Sequence, residues 1–367
     1  MAKKRAPKKQ ASAISRAHAA LKTATATAKK EAAQAKATAK PHTIAVSGAA
    51  GRLGKLLVTS LLQKGYHVVA IVRDDEAEWE LRKHACNKVS ESFCKAHPAL
   101  FIVKDQLDDA DALAQKIAGV TDFVHLAAEI DYSASLDEMV KANVAPTKAA
   151  IDACRKTDAR LVFISSTSVT RKDSPVPINE DAVATPINNY GKSKALAEEE
   201  VRQSTAAYVI MRFPIIYGEG FTEGFSKVLS MAKSGKLQII GSGNNKISFL
   251  NAADAIAAIE AVVANPLVRS GTFYFSGKAH TQKETYEIVA HALGVPAPTK
   301  HVSKEFAIRA LQLRNAALGL LGKKPSMTIE NTLTLADSRE YDCRKARETF
   351  GWEPKVRLSK ESLKPYL

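Results

Sequence analysis

A short strand, three closely spaced glycines and then a helix leave a chain few folding options. This chain carries that pattern over "TIAVSGAAGRLGKLLVTSLLQKG", from Thr43 to Gly65. The apolar "TIAV" reads as a strand, and "LVTSLLQKG" has helical periodicity that stops at Gly65. Gly48, Gly51 and Gly54 lie between them at G-x-x-G-x-x-G spacing. Glycine lets the backbone turn tightly, lets a pyrophosphate approach and lets helix and strand pack closely. The helix N-terminus then points its N–H groups and positive dipole end at the phosphates. A glycine triplet alone is weak evidence. One set between a strand and a helix, with "HVVAIVR" following as a second strand, is a strong signal for dinucleotide binding.

The alternation continues. "ALFIVKDQLDD", "FVHLAAE" and "RLVFISSTSV" read as the third, fourth and fifth strands, with helical stretches between them. Such alternation predicts an α/β fold with a doubly wound parallel sheet of the Rossmann type, its ligand at the carboxyl ends of the strands. The predicted organisation is a disordered basic tail over 1–40 and a dinucleotide-binding domain over 41–217, to which 246–275 return. A smaller C-terminal α/β substrate lobe takes 218–245 and 276–367.

At the end of the second strand, NAD-binding proteins commonly place an acid that accepts bonds from the adenosine ribose. Val72 and Arg73 stand there instead, and Arg52 lies inside the glycine turn. Two guanidiniums can clamp a 2′-phosphate in bidentate fashion, so NADP is favoured over NAD, against the pull of Asp74 and Asp75.

The 367 residues suffice for a large core or two lobes. Cys86, Cys94, Cys154 and Cys343 show no paired or metal-ligand spacing and read as reduced structural thiols in a cytoplasmic protein; no metal site is expected. No apolar run approaches the roughly 20 residues of a membrane span. The nearest, "FAIRALQLRNAALGLLG" from Phe306, is broken by Arg309, Gln312, Arg314 and Asn315. It reads as an amphipathic helix suited to covering an apolar pocket or touching a membrane surface.

The net charge of +15 is concentrated at one end. The first 40 residues hold eleven Lys or Arg against the single acid Glu31. Built almost wholly from Ala, Lys, Thr and Ser, this segment lacks the apolar residues for a core and has no apolar block for a secretory signal. Its readings are solubility, contact with nucleic acid or another polyanion through counterion release, or an organelle-targeting peptide. The Lys-over-Arg bias weakens the last.

A tyrosine followed four residues later by a lysine stacks both side chains on one helix face. The chain contains the pair three times: Tyr190 with Lys194, Tyr274 with Lys278, and Tyr341 with Lys345. Tyr274 lies in "GTFYFSGK", an alternating stretch that reads as a strand. Tyr341 stands near the chain end, beyond the expected sheet. Only Tyr190 opens a helix and also follows a hydroxyl-bearing strand end, Ser165-Ser166-Thr167.

Taken together, "SGAAGRLG", "KDQLDD", "HLAAE", "KANVAPT", "ISSTSV", "YGKSK" and "RFPIIYGEG" resemble the extended short-chain dehydrogenase/reductase family in order and spacing. The C-terminal "KKPSMTIENTLTLADSREYDCRKARETFGWEPK" looks like the 3β-hydroxysteroid dehydrogenase and dihydroflavonol reductase branch. The resemblance implies hydride transfer between a nicotinamide and a carbinol or ketone carbon. Tyr190 is then the general acid or base, and Lys194 lowers its pKa and holds the nicotinamide ribose. Ser166 bonds the reacting oxygen, with Ser165 or Thr167 in its place if the register differs by one, and Asn143 orders the site. Working at pH 7 asks of a tyrosine a downward shift of about 3 units. The resemblance also assigns Gly48, Gly51, Arg52, Leu53, Gly54, Arg73, Asp105, Gln106, Leu126, Ala127, Ala128, Pro214 and Ile215 to the cofactor, along with Tyr190 and Lys194. Asp105 meets the adenine; Pro214 and Ile215 border the nicotinamide. A homodimer through helices near 136–156 and 190–203 is the family expectation.

Two departures stand out. Ser47 replaces the family's usual Thr. Val169-Thr170-Arg171 replaces its "VYG", which weakens a sugar-nucleotide reading. A dehydrogenase or reductase acting on a small apolar or ring substrate is therefore favoured, with a sugar-nucleotide epimerase second. An idle dinucleotide-fold protein that binds nucleic acid through its tail stands third.

Overall fold

The computed structural model describes residues 42–88, 97–170, 176–321 and 336–367. The basic tail, Cys94, Arg171 and the first part of the C-terminal signature lie outside the described residues.

The strand before the glycine turn is β1 (Thr43–Ser47), and the helix after it is α1 (Arg52–Gln63). Gly65, at φ 82°, takes the left-handed conformation that stops the helix. β2 (His67–Val72), α2 (Asp75–Lys88), β3 (Leu100–Lys104), α3 (Ala110–Lys116), β4 (Asp122–His125) and α4 (Leu136–Thr157) follow. Ser135 and Glu138 form a capping box that fixes where α4 begins. β5 (Arg160–Ser166), α5 (Asn189–Gln203) and β6 (Tyr208–Phe213) complete the alternation. With β10 (Thr272–Tyr274), these strands form one seven-stranded sheet in the order β3-β2-β1-β4-β5-β6-β10. Every pairing in it is parallel.

The predicted doubly wound sheet is present, and its β-branched runs explain it. Strands such as "HVVAIV" are buried on both faces, which only helices on both sides can provide. On one face Leu57, Val58 and Leu61 of α1 join Ile256, Ile259 and Val263 of α7 (Ala252–Val263). On the other, Leu113 of α3 packs with Ile151 of α4 and with Ala197 and Val201 of α5.

The remaining strands, β7 (Ile215–Tyr217), β8 (Ile239–Ile240), β9 (Lys246–Asn251), β11 (Ala279–Thr281) and β12 (His301–Val302), form two small sheets. With α6 (Thr222–Lys233) and α8 (Gln282–Leu293) they enclose a separate core of Tyr217, Phe225, Phe249, Tyr286 and Val289. The segment from Phe306 does form a helix, α9 (Lys304–Leu320), capped by Ser303. Leu311 is buried in it, while Phe306, Leu313 and Leu320 are exposed.

One expectation needs correcting. The stretch 343–352, which includes α10 (Arg344–Phe350), was assigned with 276–367 to the second lobe, yet it packs on the large sheet. Phe350 meets Phe273 at 4.9 Å and Trp352 meets Phe275 at 5.1 Å. β10 is an edge strand carrying large aromatics, and this C-terminal stretch covers them.

Candidate active site

The crevice opens where strand order reverses, between β1 and β4, which is where such sheets bind ligands. Gly48 sits there at φ 66°, and a Cβ on it would come within 2.8 Å of the Ala127 backbone nitrogen. Leu126, Ala127 and Ala128 follow β4, so the two loops meet backbone to backbone. A Cβ on Gly54 would lie 2.1 Å from the Gly48 carbonyl oxygen, closing the turn. Gly51 is the N-cap of α1. No side chain caps this helix, and no acid lies in its first turn, while Leu53 points into the core. A glycine cradle facing an uncapped helix N-terminus fits a dinucleotide pyrophosphate.

The adenine side is more contested. Arg73 donates to Asp74 at 3.1 Å with both side chains exposed, and Arg52 lies 5.4 Å over the Phe221 ring. The Ala77 N–H and then Arg73 hold the Asp74 carboxyl below its ordinary value. Gln106 donates to the Arg73 carbonyl at 3.1 Å. Asp105 accepts from the Leu107 N–H at 2.6 Å and from Lys116 at 2.7 Å, so its carboxylate is already engaged at the end of β3. Pro214 and Ile215 join β6 to β7 at the far end of the crevice.

The tyrosines divide as their contexts predict for the first two. Tyr190 opens α5, whose N-cap Asn188 accepts from the Gly191 N–H at 2.6 Å. Tyr274 lies in β10. Tyr341 departs from the expectation. Its ring stacks on Tyr274 at 5.0 Å, and its hydroxyl bonds Thr167 and Thr170. Sequence distance concealed a residue that returns to the end of β5.

The structure separates the three hydroxyls after β5. Ser165 turns into the core and donates to Glu198 at 2.6 Å. Thr167 is buried toward Tyr341. Ser166, 3.1 Å from the Ser168 hydroxyl, bonds the Tyr190 phenol. Asn143 of α4 is buried and spans the site: its Nδ2 donates to Ser193 at 2.9 Å and its Oδ1 accepts from the Glu129 N–H at 2.7 Å. Ser193 in turn donates to the Tyr190 carbonyl at 2.8 Å.

Behind Asn143 lies a buried relay that motif reading missed. Thr147 donates to the Asn143 carbonyl at 2.6 Å, leaving its lone pairs to His125 Nε2 at 3.2 Å. His125 Nδ1 then accepts from Ser47 at 2.7 Å. Burial, with the Lys194 charge adding to it, pushes the His125 imidazole down to about 3, so it is neutral. Ser47 thus keeps the hydroxyl function of the family's Thr.

Lys194 corrects another expectation. Its Nζ donates to the Ile164 carbonyl at 2.7 Å and lies 4.2 Å from the centroid of the Phe163 ring, and burial pushes the ammonium down to about 7 against the pull of Glu198. The Tyr190 phenol is held above its ordinary value, first by burial and then by Tyr132, with the Ser166 bond opposing them. The downward shift foreseen for Tyr190 is therefore not produced by the protein's own groups. Tyr132 packs edge-on against Tyr190 at 5.8 Å; it belongs to the loop after β4, which carries no motif.

Gly191 sets the approach of α5 to the serine turn, since a Cβ there would fall 2.4 Å from the Ser168 carbonyl oxygen. Gly191→Ala is expected to cost about 1–3 kcal/mol of stability and to lower kcat/KM about 10²-fold by displacing Tyr190 from Ser166. Thermal melting and steady-state kinetics check this; unchanged values in both would contradict it.

A glycine-turn cleft on a doubly wound sheet, with Tyr, Lys and Ser converging at its end, defines an NAD(P)-dependent enzyme of the extended short-chain dehydrogenase/reductase type. Residues 44–274 match the model of the NAD dependent epimerase/dehydratase family, and the chain belongs to that family. It is 28% identical over 335 residues to a 2-alkyl-3-oxoalkanoate reductase of Stenotrophomonas maltophilia, covering 86% of this chain and 96% of that one. It is 25% identical over 232 residues to a decarboxylating sterol-4-alpha-carboxylate 3-dehydrogenase of Dictyostelium discoideum, covering 59% of this chain and 66% of the other. Among solved structures, a UDP-glucuronic acid 4-epimerase from Bacillus cereus in complex with NAD superposes with a TM-score of 0.65 at 19% identity. That likeness covers 89% of this chain and all of the other, and it concerns the fold.

Proposed function

We propose that the protein reduces the keto group of a small ketone with NADPH, or runs the reverse oxidation, with Tyr190 as acid–base residue. The observation that carries this is the buried Tyr190 phenol bonded to Ser166 at the carboxyl end of β5. When bound, the nicotinamide supplies or accepts the hydride and, oxidised, adds positive charge near the phenol. A phenol kept neutral by burial is in the state needed to give its proton to the oxygen of a ketone as that carbon accepts hydride. Ser166 steadies that oxygen. Lys194 holds the ribose and returns the proton toward Tyr190, and Asn143 fixes α5 against the loop after β4. The glycine turn with Leu53, Leu126, Ala127 and Ala128 holds the pyrophosphate and adjacent ribose, Asp105 and Gln106 flank the adenine, and Pro214 and Ile215 border the nicotinamide.

Arg52 and Arg73 favour NADP, because a 2′-phosphate adds a second anion to an edge where Asp74 already balances one guanidinium. Fluorescence titration in moderate salt, which keeps the basic tail from binding phosphates, is expected to show NADPH binding about 10–100-fold tighter than NADH. Equal affinities would remove the NADP preference and leave the enzyme. The epimerase alternative is separated by the same preparation: it converts substrate without net consumption of dinucleotide. The homologous reductase and dehydrogenase support the simpler oxidoreductase. A cytoplasmic homodimer through α4 and α5, where Leu196 is exposed, completes the reading, and light scattering tests the dimer.

A further inference from the structure

The C-terminal segment that carries Tyr341 also brings a cation to the substrate side of the site. Its backbone is pinned twice. The Arg339 N–H donates to the Lys246 carbonyl at 2.7 Å, and Ile178 donates to the Glu340 carbonyl at 2.7 Å while accepting from the Asp342 N–H at 2.8 Å. Arg339 is 9% exposed. Its guanidinium bonds the Tyr341 hydroxyl, and its charge acts on the Tyr132 phenol, the ring packed against Tyr190. Among the described residues no carboxylate forms an ion pair with it, and its buried Nε has no hydrogen-bond partner. A buried guanidinium with an open donor edge is costly unless an anion completes it.

We propose that Arg339 anchors a carboxylate of the substrate, making the substrate an oxo acid or hydroxy acid whose reacting carbon is presented to Tyr190 while its acid group lies between Tyr132 and Tyr341. This rests on the oxidoreductase reading. The fork of a guanidinium matches a carboxylate. One cation suits a monoanion better than a diphosphate, and the neighbouring Lys246 is already paired with Glu340 at 2.8 Å. The Tyr132 and Tyr341 hydroxyls supply further donors to the same oxygens. Arg339 is a binding residue here; hydride transfer itself is left to the groups around Tyr190.

The test is calorimetric titration of the full chain, saturated with NADP, with decanoate, methyl decanoate and inorganic phosphate, so that binding is read without turnover. Decanoate is expected to bind at least tenfold tighter than the ester. That preference collapses in Arg339→Gln and is partly kept in Arg339→Lys, with the dinucleotide Kd of each variant reporting an intact fold. Decanoate binding no better than the ester, or equally well to wild type and both variants, overturns the proposal. Binding of phosphate in preference to decanoate overturns the choice of carboxylate. If Arg339→Gln does not fold, the Arg339→Lys comparison and the acid-to-ester ratio of the wild type decide. Arg339-dependent decanoate binding with no Tyr190-dependent turnover of 3-oxo acids would sink the oxidoreductase reading and keep the anion site.

Discussion

Tyr190→Phe is expected to lower turnover about 10²–10⁴-fold, the usual contribution of a positioned proton donor. NADPH affinity should stay within about twofold, because the change removes one hydroxyl and leaves the ring against Tyr132. The proton that the phenol supplies has no ready substitute: the Ser166 hydroxyl is a far weaker acid, and the Lys194 ammonium is held on the Ile164 carbonyl. Pre-steady-state kinetics with saturating NADPH separate chemistry from release. A variant retaining more than about a tenth of wild-type turnover would remove Tyr190 from the acid–base role. A variant that loses NADPH binding in parallel would show that the ring, and not its hydroxyl, matters.

Glu198→Ala is expected to be the most destabilising single change near the site. Glu198 is wholly buried on α5. It accepts from Ser165 at 2.6 Å and from Arg212 at 3.0 Å and 2.7 Å, and it also pairs with Arg202. Arg212 of β6 then donates to the Tyr274 hydroxyl at 2.9 Å. One carboxylate thus joins the end of β5, α5, β6 and β10. Removing it strands the buried Arg212 charge, a loss of about 3–5 kcal/mol from a total that is typically about 5–15 kcal/mol. Urea unfolding checks this. Glu198→Leu combined with Arg212→Leu should recover much of the loss, since an apolar pair leaves no uncompensated charge. A single-variant cost below about 1 kcal/mol would mean that water or a shifted side chain takes over.

Much of the fold was legible because its signals are local. The glycine spacing between "TIAV" and "LVTSLLQKG" encodes a backbone path that side chains cannot follow. The continuous β-branched strands encode burial on both faces, and together they predict the parallel sheet. The choice of Tyr190 over Tyr274 was legible as well, because helix and strand periodicities differ within a few residues. Three things were not. Which of Ser165, Ser166 and Thr167 faces Tyr190 depends on strand register against Glu198. The cover that 343–352 give to β10 depends on where an edge strand lies in space. The return of Arg339 and Tyr341 to the end of β5 joins residues more than 160 positions apart.

The same division holds for the site's electrostatics. By itself the sequence determined that a dinucleotide cleft exists and that a tyrosine, a lysine and a serine stand at its end, since turn geometry and helical spacing are properties of neighbouring residues. Only the tertiary structure decided the charge states. Burial raises the Tyr190 phenol and lowers the Lys194 ammonium and the His125 imidazole. The cost of desolvating a charge depends on everything packed around it, and segments distant in the chain supply that packing.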